Sequence, residues 1–371
     1  MGGAVFVWEN LGPTHDDRLR AVAATGIAVT AVQFSGKSAT YSWESIASGD
    51  YRAVTLCAAG ERVLRLALAW RLIRAIRRSG AHAVFLCHYE MPAVLLAAIV
   101  TRICGKRVYA MIDSKFDDYP RRVGREMAKS LFLLPYHGAV TASLRSRDYL
   151  AFLGLNPARI ALGYDTLDTA RIAGQASGVE PTPFERRDFL IVARLVPKKN
   201  IAAALEAFAA FVERNGSGRR LRICGDGPLE SELKARAEAL GIGGLVDFAG
   251  FVQTREVSEA MARALALILP SVEEQFGLVI NEALSMGLPV ICSINAGAAD
   301  VLVDNLVNGF LVSPHESATI AGAMEMLHRD PALHERMAAA AAAAAPRGDA
   351  RLFADAVGAL TDTATKGFPA A

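Results

Sequence analysis

At 371 residues the chain is too long for one ordinary core, so two domains of about 150–200 residues are expected. A 52% hydrophobic and 21% charged composition is that of a folded protein, and a net charge of +2 is too small to argue for a nucleic-acid partner. No apolar run reaches the ~20 residues needed to span a bilayer. The five cysteines stand singly without metal-ligand spacing, and the chain opens on Ala4-Val5-Phe6-Val7-Trp8 without a basic leader, so a cytoplasmic chain with no bound metal and no disulfide framework is expected.

Strand-like apolar runs then alternate with helical patterns. In the first half the strands are expected at 4–8, 27–33, 52–56, 83–87, 107–112 and 138–141, with helices over 15–24, 61–79, 92–103 and 143–153. The pattern weakens around 156–187, where residues 173–182 are small and polar, so 171–187 reads as an interdomain linker. Strands resume at 189–193, 220–224, 246–250, 265–269 and 289–292, with helices over 201–214, 230–240, 255–264, 282–286 and 317–329. The alanine run 338–345 has strong helix propensity. Pro346 and Gly348 break it, and 351–360 forms a short helix able to pack back on either domain, followed by a flexible tail. Strands alternating with helices imply βαβ units and parallel sheets. The reading is α/β: a Rossmann-like domain over 1–170, a linker over 171–187, a second Rossmann-like domain over 188–345, and a terminal segment over 346–371. The ligand is expected in a cleft between the two, at the carboxyl ends of the strands.

Within the second half, Glu274-Gln275-Phe276-Gly277-Leu278-Val279-Ile280-Asn281-Glu282 holds two carboxylates separated by seven residues around a glycine turn. The apolar strand before it and the helix expected from Glu282 place backbone N–H groups and two acids at one helix mouth. Amides suit phosphate oxygens, and carboxylates accept from sugar hydroxyls. That combination points to a nucleotide diphosphate sugar. Glu273 sits one residue too far from Glu282 for the same spacing and reads as a solvated neighbour.

The segment Val192-Ala193-Arg194-Leu195-Val196-Pro197-Lys198-Lys199-Asn200 resembles the one that opens the donor domain of family 4 glycosyltransferases. Ile223-Cys224-Gly225-Asp226-Gly227-Pro228, residues 246–251, the Glu274–Glu282 pair and Asn308-Gly309-Phe310-Leu311-Val312 follow in that family's order. The resemblance is dense over 189–327 and loose before it. It implies a GT-B fold, with two Rossmann-like domains facing each other across a cleft. It also implies a retaining, metal-independent hexosyltransferase using a UDP- or GDP-linked donor and no cofactor.

In that setting Arg194 and Lys199 stabilise the departing phosphate, where position alone would leave them two solvated cations before a helix. Glu274 holds the transferred sugar and Glu282 accepts from ribose, the plainer alternative for Glu282 being a charge that complements a helix dipole. The amides of Phe276, Gly277, Leu278 and Val279 meet sugar and phosphate oxygens. Gly225, Gly227, Phe251 and Val252 enclose the base, largely through backbone.

The N-terminal half departs from the family. Its first loop, Glu9-Asn10-Leu11-Gly12-Pro13-Thr14-His15, has one glycine where two adjacent ones are usual. Gly12 keeps the close approach to the donor, with Asn10 and His15 in reach of ligands. Asp113 stands where many members carry a histidine, and a carboxylate there binds hydroxyls or orients the nucleophile but cannot act as a cationic donor. His88, after the strand 83–87, is either structural or part of an acceptor site. The dipeptide Asp117-Asp118 is assigned no metal.

The stretch 62–78 carries six arginines. Arg71, Arg74 and Arg78 share one helical face beside a stripe of Leu64, Leu68, Leu72 and Ile76. A solvated basic face flanking a core stripe is the plainer reading. The sharper one is attraction to an anionic membrane, extended by Arg121, Arg122, Arg125 and Lys129, which would suit a lipid-linked acceptor. The expected function is sugar transfer to a hydroxyl acceptor in bacterial envelope polysaccharide, lipopolysaccharide or glycolipid assembly, cytoplasmic and peripheral to the membrane. A nucleotide-sugar 2-epimerase and a non-catalytic nucleotide-sugar-binding subunit are the competing classes. A dinucleotide-dependent dehydrogenase is disfavoured, because neither half shows Gly-x-Gly-x-x-Gly after its first strand.

Overall fold

The computed structural model describes residues 2–36, 49–58, 60–61, 63–216 and 218–362. They divide into two compact units, one made of the described residues within 2–116, 120–168 and 349–362, the other of those within 117–119 and 169–348. Each unit is a Rossmann-like parallel sheet covered by helices.

The first unit runs β1 (Ala4–Trp8), α1 (Pro13–Ala24), β2 (Val29–Ser35), β3 (Arg52–Cys57), α2 (Arg65–Arg78), β4 (Ala83–Leu86), α3 (Pro92–Ile103), β5 (Arg107–Ile112), α4 (Val123–Leu133), β6 (Gly138–Thr141), α5 (Leu144–Phe152) and β7 (Ile160–Leu162). Its strands lie in the order β3-β2-β1-β4-β5-β6-β7, all neighbours parallel. Parallel strands covered on both faces read as continuous apolar runs, and all five residues of β1 and all four of β4 are buried. Phe6, Phe85 and Tyr109 stack across β1, β4 and β5 with ring centroids 4.8 and 4.9 Å apart. The strand order reverses between β1 and β4, which opens a crevice at their carboxyl ends.

The second unit runs α6 (Thr169–Gln175), β8 (Asp188–Val192), α7 (Ile201–Asn215), β9 (Leu221–Cys224), α8 (Glu230–Ala239), β10 (Val246–Gly250), α9 (Thr254–Arg263), β11 (Ala264–Leu269), α10 (Leu278–Ser285), β12 (Val290–Ser293), β13 (Gly309–Val312), α11 (Ser317–Arg329) and α12 (Pro331–Ala344). The order β10-β9-β8-β11-β12-β13 reverses between β8 and β11. Its core is centred on Phe189, Phe208 and Phe211, with Phe189 edge-on to Phe211 at 5.3 Å.

A last helix, α13 (Arg351–Asp362), belongs to the first unit. There Phe353 is fully buried, 5.6 Å from the Phe6 ring, and Leu360 carbonyl accepts from the Tyr109 hydroxyl at 2.8 Å. The expected flexible tail from 363 lies outside the described residues.

Several expectations need correction. Residues 171–187 are not a free linker. Helix α6 packs on α9 and α10, and Ser258 Oγ donates to Gln175 Oε1 at 2.8 Å. Arg219, 4% exposed, donates to the Phe184 carbonyl at 2.9 Å and to His328 Nδ1 at 2.8 Å. Arg187 donates to the Ala264 carbonyl at 2.9 Å. Polar sequence concealed this because the segment is held by a few isolated anchors, the buried Ile172, Phe184 against the core, and bonds from Arg187 and Arg219, without apolar periodicity. Strands β7 and β13 and helix α4 were not expected, each being short or interrupted by charge. In α2 the inward face is Ala69, Leu72, Ile73 and Ile76, while Leu64 is exposed ahead of the first turn; Arg62 lies outside the described residues. Lys129 and Arg121 do not extend a surface patch. Lys129 donates to the Tyr149 hydroxyl at 2.7 Å and Arg121 does so at 3.0 Å, and Lys129 also pairs with buried Glu126 at 3.3 Å. No helix among the described residues is long and apolar enough to cross a membrane.

Candidate functional site

In the second unit the loops after β10, β9, β8, β11 and β12 stand in a row along the carboxyl edge of the sheet. Backbone bonds join them. Gly225 N–H donates to the Gly250 carbonyl at 2.7 Å, Leu195 N–H to Asp226 at 2.7 Å, and Val272 N–H to Lys198 at 2.9 Å. Ala298 N–H donates to Phe276 at 2.9 Å, and Glu274 bridges Ala296 in parallel register.

Glycine is required where these loops touch. Gly225 has φ +141°, and a β-carbon there would lie 1.9 Å from the Ala193 carbonyl oxygen. At Gly227, φ +154°, it would lie 2.5 Å from the Leu195 oxygen. Both positions are shut to side chains by backbone.

Arg194 and Lys199 both follow β8, while Glu274 follows β11, so they flank the point where strand order reverses. Lys199 Nζ is ion-paired with Glu274 Oε2, to which Ser271 Oγ also donates at 3.0 Å. Both side chains of the pair are largely buried, at 15% and 12% exposure. Neither loop holds its charge alone; each neutralises the other. The outer pair, Lys198 Nζ with Glu273 Oε1 at 3.3 Å, is more than twice as exposed at 35% and 34%. It is the solvated neighbour and contributes little.

Helix α10 begins at Leu278, not at Glu282, because Gly277 adopts φ +101° and starts the helix a turn earlier. The amides of Leu278 and Val279 are therefore first-turn donors pointing from the helix N-terminus. Glu282 is not a first-turn charge. It lies one turn in, half-buried, on the face it shares with Leu278. Phe276 is buried, its carbonyl committed to Ala298, while Phe251 is half-exposed beyond β10 with Val252 beside it.

Sequence reasoning missed the residues that brace this edge. Asn200 sits at φ +52°, ψ +37°, and its Nδ2 donates to the Pro270 carbonyl at 3.2 Å and the Pro314 carbonyl at 2.7 Å. Asn295 Nδ2 donates to the Val272 carbonyl at 2.8 Å. Ser271 is fully buried beneath Glu274. The available signal was the Asn before a helix, since Asn tolerates the left-handed region better than other side chains. Asn200→Gly should lose the two bonds yet keep the backbone. Asn200→Ala should add about 1–2 kcal/mol of left-handed strain. Urea midpoints falling in the order wild type, Gly, Ala check this; an Ala variant as stable as Gly would remove the strain assignment.

In the first unit Gly12, His15, His88 and Asp113 gather at the carboxyl ends of β1, β4 and β5. Gly12 is buried in extended backbone, and its N–H donates to His15 Nδ1 at 2.9 Å. Burial, then Arg18 and His88, hold the His15 imidazole well below its ordinary pKa, though the Gly12 bond opposes this. It is neutral, with its proton on Nε2. Asn10 is half-exposed in the same loop. His88 adopts φ +58° in the turn after β4, where its carbonyl accepts from Met91 N–H at 2.9 Å. Asp113 is half-buried, its carbonyl accepting from Ser146 Oγ at 2.7 Å. Its charge adds to burial in raising the Cys87 thiol and the Tyr164 hydroxyl, which contact each other at 2.7 Å. Trp8 Nε1 donates to that hydroxyl at 3.0 Å, and the Arg18 guanidinium lies 5.0 Å from the ring centre. Tyr164 and Arg18 were not singled out from sequence, because nothing in their spacing marks them.

Among known proteins, residues 176–344 match the family model described as glycosyl transferases group 1. Alpha-D-kanosaminyltransferase of Streptomyces kanamyceticus is 31% identical over 158 residues, 43% of this chain and 40% of that protein. D-inositol 3-phosphate glycosyltransferase of Streptomyces griseus is 35% identical over 162 residues, 42% and 34% of the two chains. The match spans less than half the length of these curated relatives. The crystal structure of Anabaena Alr3699/HepE in complex with UDP and glucose aligns with TM-score 0.74 at 18% identity, over 99% of this chain and 100% of that one. The apo form of the lipopolysaccharide outer core galactosyltransferase WaaB aligns with TM-score 0.72 at 15% identity, over 98% and 99%. The fold is GT-B.

Proposed function

The chain carries a glycosyl transferases group 1 domain over residues 176–344, and from that premise we propose that it is a retaining, metal-independent glycosyltransferase. It moves a hexose from a nucleotide diphosphate sugar to a hydroxyl acceptor in envelope polysaccharide or glycolipid assembly, working in the cytoplasm. The observation that carries this reading is the largely buried Lys199–Glu274 pair at the β8/β11 reversal, beside the N-terminus of α10.

In the proposed reaction the acceptor oxygen attacks the anomeric carbon on the face the phosphate leaves. A new carbon–oxygen bond forms as the sugar–phosphate bond breaks, and the acceptor proton passes to the departing phosphate oxygen. Arg194, Lys199 and the amides of Leu278 and Val279 supply fixed positive charge for that leaving group. Lys199 and Ser271 both engage Oε2 of Glu274, which leaves Oε1 as the acceptor for sugar hydroxyls. Glu282 is assigned to ribose, and the Gly225, Gly227 and Phe251-Val252 loops to the base. Asp113, His88 and the neutral His15, with Gly12 and Asn10, are assigned to sugar and acceptor.

The first test is thermal unfolding with a panel of nucleoside diphosphates and their sugars, beginning with UDP, the nucleotide bound in the Alr3699/HepE structure. A true donor at 100 times its Kd should stabilise the protein by about 2.7 kcal/mol. The transferred linkage should keep the donor's anomeric configuration by NMR. An inverted product overturns the retaining assignment, and an epimer formed from donor alone indicates an isomerase instead.

A further inference from the structure

The covering helices of the first unit include three with an outer surface of unusual composition. On α4, Val123, Met127 and Leu131 recur at i, i+4 and i+8, exposed by 80, 65 and 64%, and Leu134 follows just beyond. On α2, Leu66 and Trp70 are 70 and 69% exposed. The next positions along that face are Arg74 and Arg77. Helix α3 lies against α2 and carries exposed Ile99 and Ile103. At its end Arg102 donates to the Pro135 carbonyl at 3.0 Å, which ties the close of α3 to the close of α4. The apolar side chains thus run from helix to helix in one layer. On α2 and α3 they are not misplaced core, since each of these helices buries a separate, largely apolar set on its inner side, while α4 turns Glu126, Lys129 and Leu133 inward.

Charge decides what covers this face. Helices α2 and α3 contain no acidic residue, and the one acid of α4, Glu126, is buried against Lys129 and Tyr149. The exposed charges there are arginines: Arg65, Arg74, Arg77 and Arg78 on α2, with Arg122 and Arg125 at the start of α4. Between β3 and α2 a cavity of about 190 Å³ is lined by Arg52, Arg71, Arg74 and Arg78. Of these, Arg71 is held by Glu61 at 2.7 Å. Large apolar side chains interleaved with arginines, on three helices that carry no exposed acid, match a surface that is both oily and negative. A second copy of the same face would set arginine against arginine.

We propose that the outer face of α2, α3 and α4 docks on an anionic lipid bilayer, with Leu66, Trp70, Met127 and Leu131 entering the headgroup boundary and the arginines meeting lipid phosphates. This does not rest on sugar transfer. It places the first unit at the interface where a lipid-linked hydroxyl would be met.

The test is co-sedimentation of the full chain with vesicles of phosphatidylcholine alone and of phosphatidylcholine mixed with phosphatidylglycerol. Binding is expected to the mixed vesicles, weakened by salt, with a blue shift in tryptophan emission that Trp70→Ala removes. Arg74→Gln and Arg77→Gln should each lower the partition coefficient roughly fivefold. The Met127→Glu, Leu131→Glu double variant should abolish binding while leaving thermal unfolding and the nucleotide-induced shift unchanged. Those two readouts separate this idea from the transferase reading. Equal binding to both vesicle types, no binding to either, or glutamate variants that still bind each overturn it. A dimer in light scattering that the glutamates disperse, without vesicle binding, assigns the face to a second copy instead.

Discussion

Lys199→Ala and Arg194→Ala are each expected to lower turnover by at least ~10²-fold, the loss seen when one preorganised donor to a developing oxyanion is removed. Nucleotide binding should weaken less than turnover falls, because charge on the leaving phosphate is greatest in the transition state. Lys199 has a second consequence. Its ammonium is the cation facing the largely buried Glu274 carboxylate, whose other donor is Ser271. Removing the lysine alone strands that charge and should destabilise the protein, by up to about 3–5 kcal/mol for a fully buried pair. The Lys199→Ala, Glu274→Gln double variant should recover stability and not activity. Lys198→Ala, from the exposed pair, should behave as wild type. A Lys199→Ala enzyme that turns over at nearly the normal rate removes the leaving-group assignment, whatever its stability.

Gly225→Ala is expected to destabilise the second unit by about 2–6 kcal/mol, combining backbone strain of about 1–3 kcal/mol with overpacking of similar size. The new β-carbon would stand 1.9 Å from a carbonyl oxygen, and backbone on both sides leaves no flexible side chain to yield. The β9 loop must then part from the β8 loop, whose Ala193 N–H is bonded to the Cys224 carbonyl at 3.0 Å. Arg194 is the next residue, so nucleotide affinity should fall with stability. Gly218→Ala, where a β-carbon meets nothing within 4 Å, is the matched control. Urea unfolding and nucleotide-induced thermal shifts on the two variants decide the matter. Equal behaviour would falsify the close-approach role of Gly225.

The fold was largely legible because buried parallel strands announce themselves as unbroken apolar runs. The runs 4–8, 107–112, 138–141 and 246–250 match β1, β5, β6 and β10 residue for residue. The candidate residues Arg194, Lys199, Glu274 and Glu282 could be picked out because they lie in short, chemically distinctive segments, and the structure brings Lys199 against Glu274. Local reading failed wherever a residue's role is set by something distant in the chain. Asn200 reaches Pro314, Arg219 reaches Phe184 and His328, and Tyr164 reaches Trp8 and Cys87. Helix α10 began early because one glycine took a positive φ, a conformation its composition permits but does not demand.

Sequence alone therefore determined the βαβ alternation and the residue types offered at the strand ends, since both follow from periodicity and side-chain chemistry over a few neighbours. Only the tertiary structure decided that Lys199 is neutralised by Glu274. It also decided that Lys129 and Arg121 are consumed inside the fold. The outer faces of α2, α3 and α4 are left both apolar and free of exposed acids. Pairing and burial depend on which loops and helices a parallel sheet brings side by side, and in a parallel sheet those neighbours are set by strand order across the whole unit.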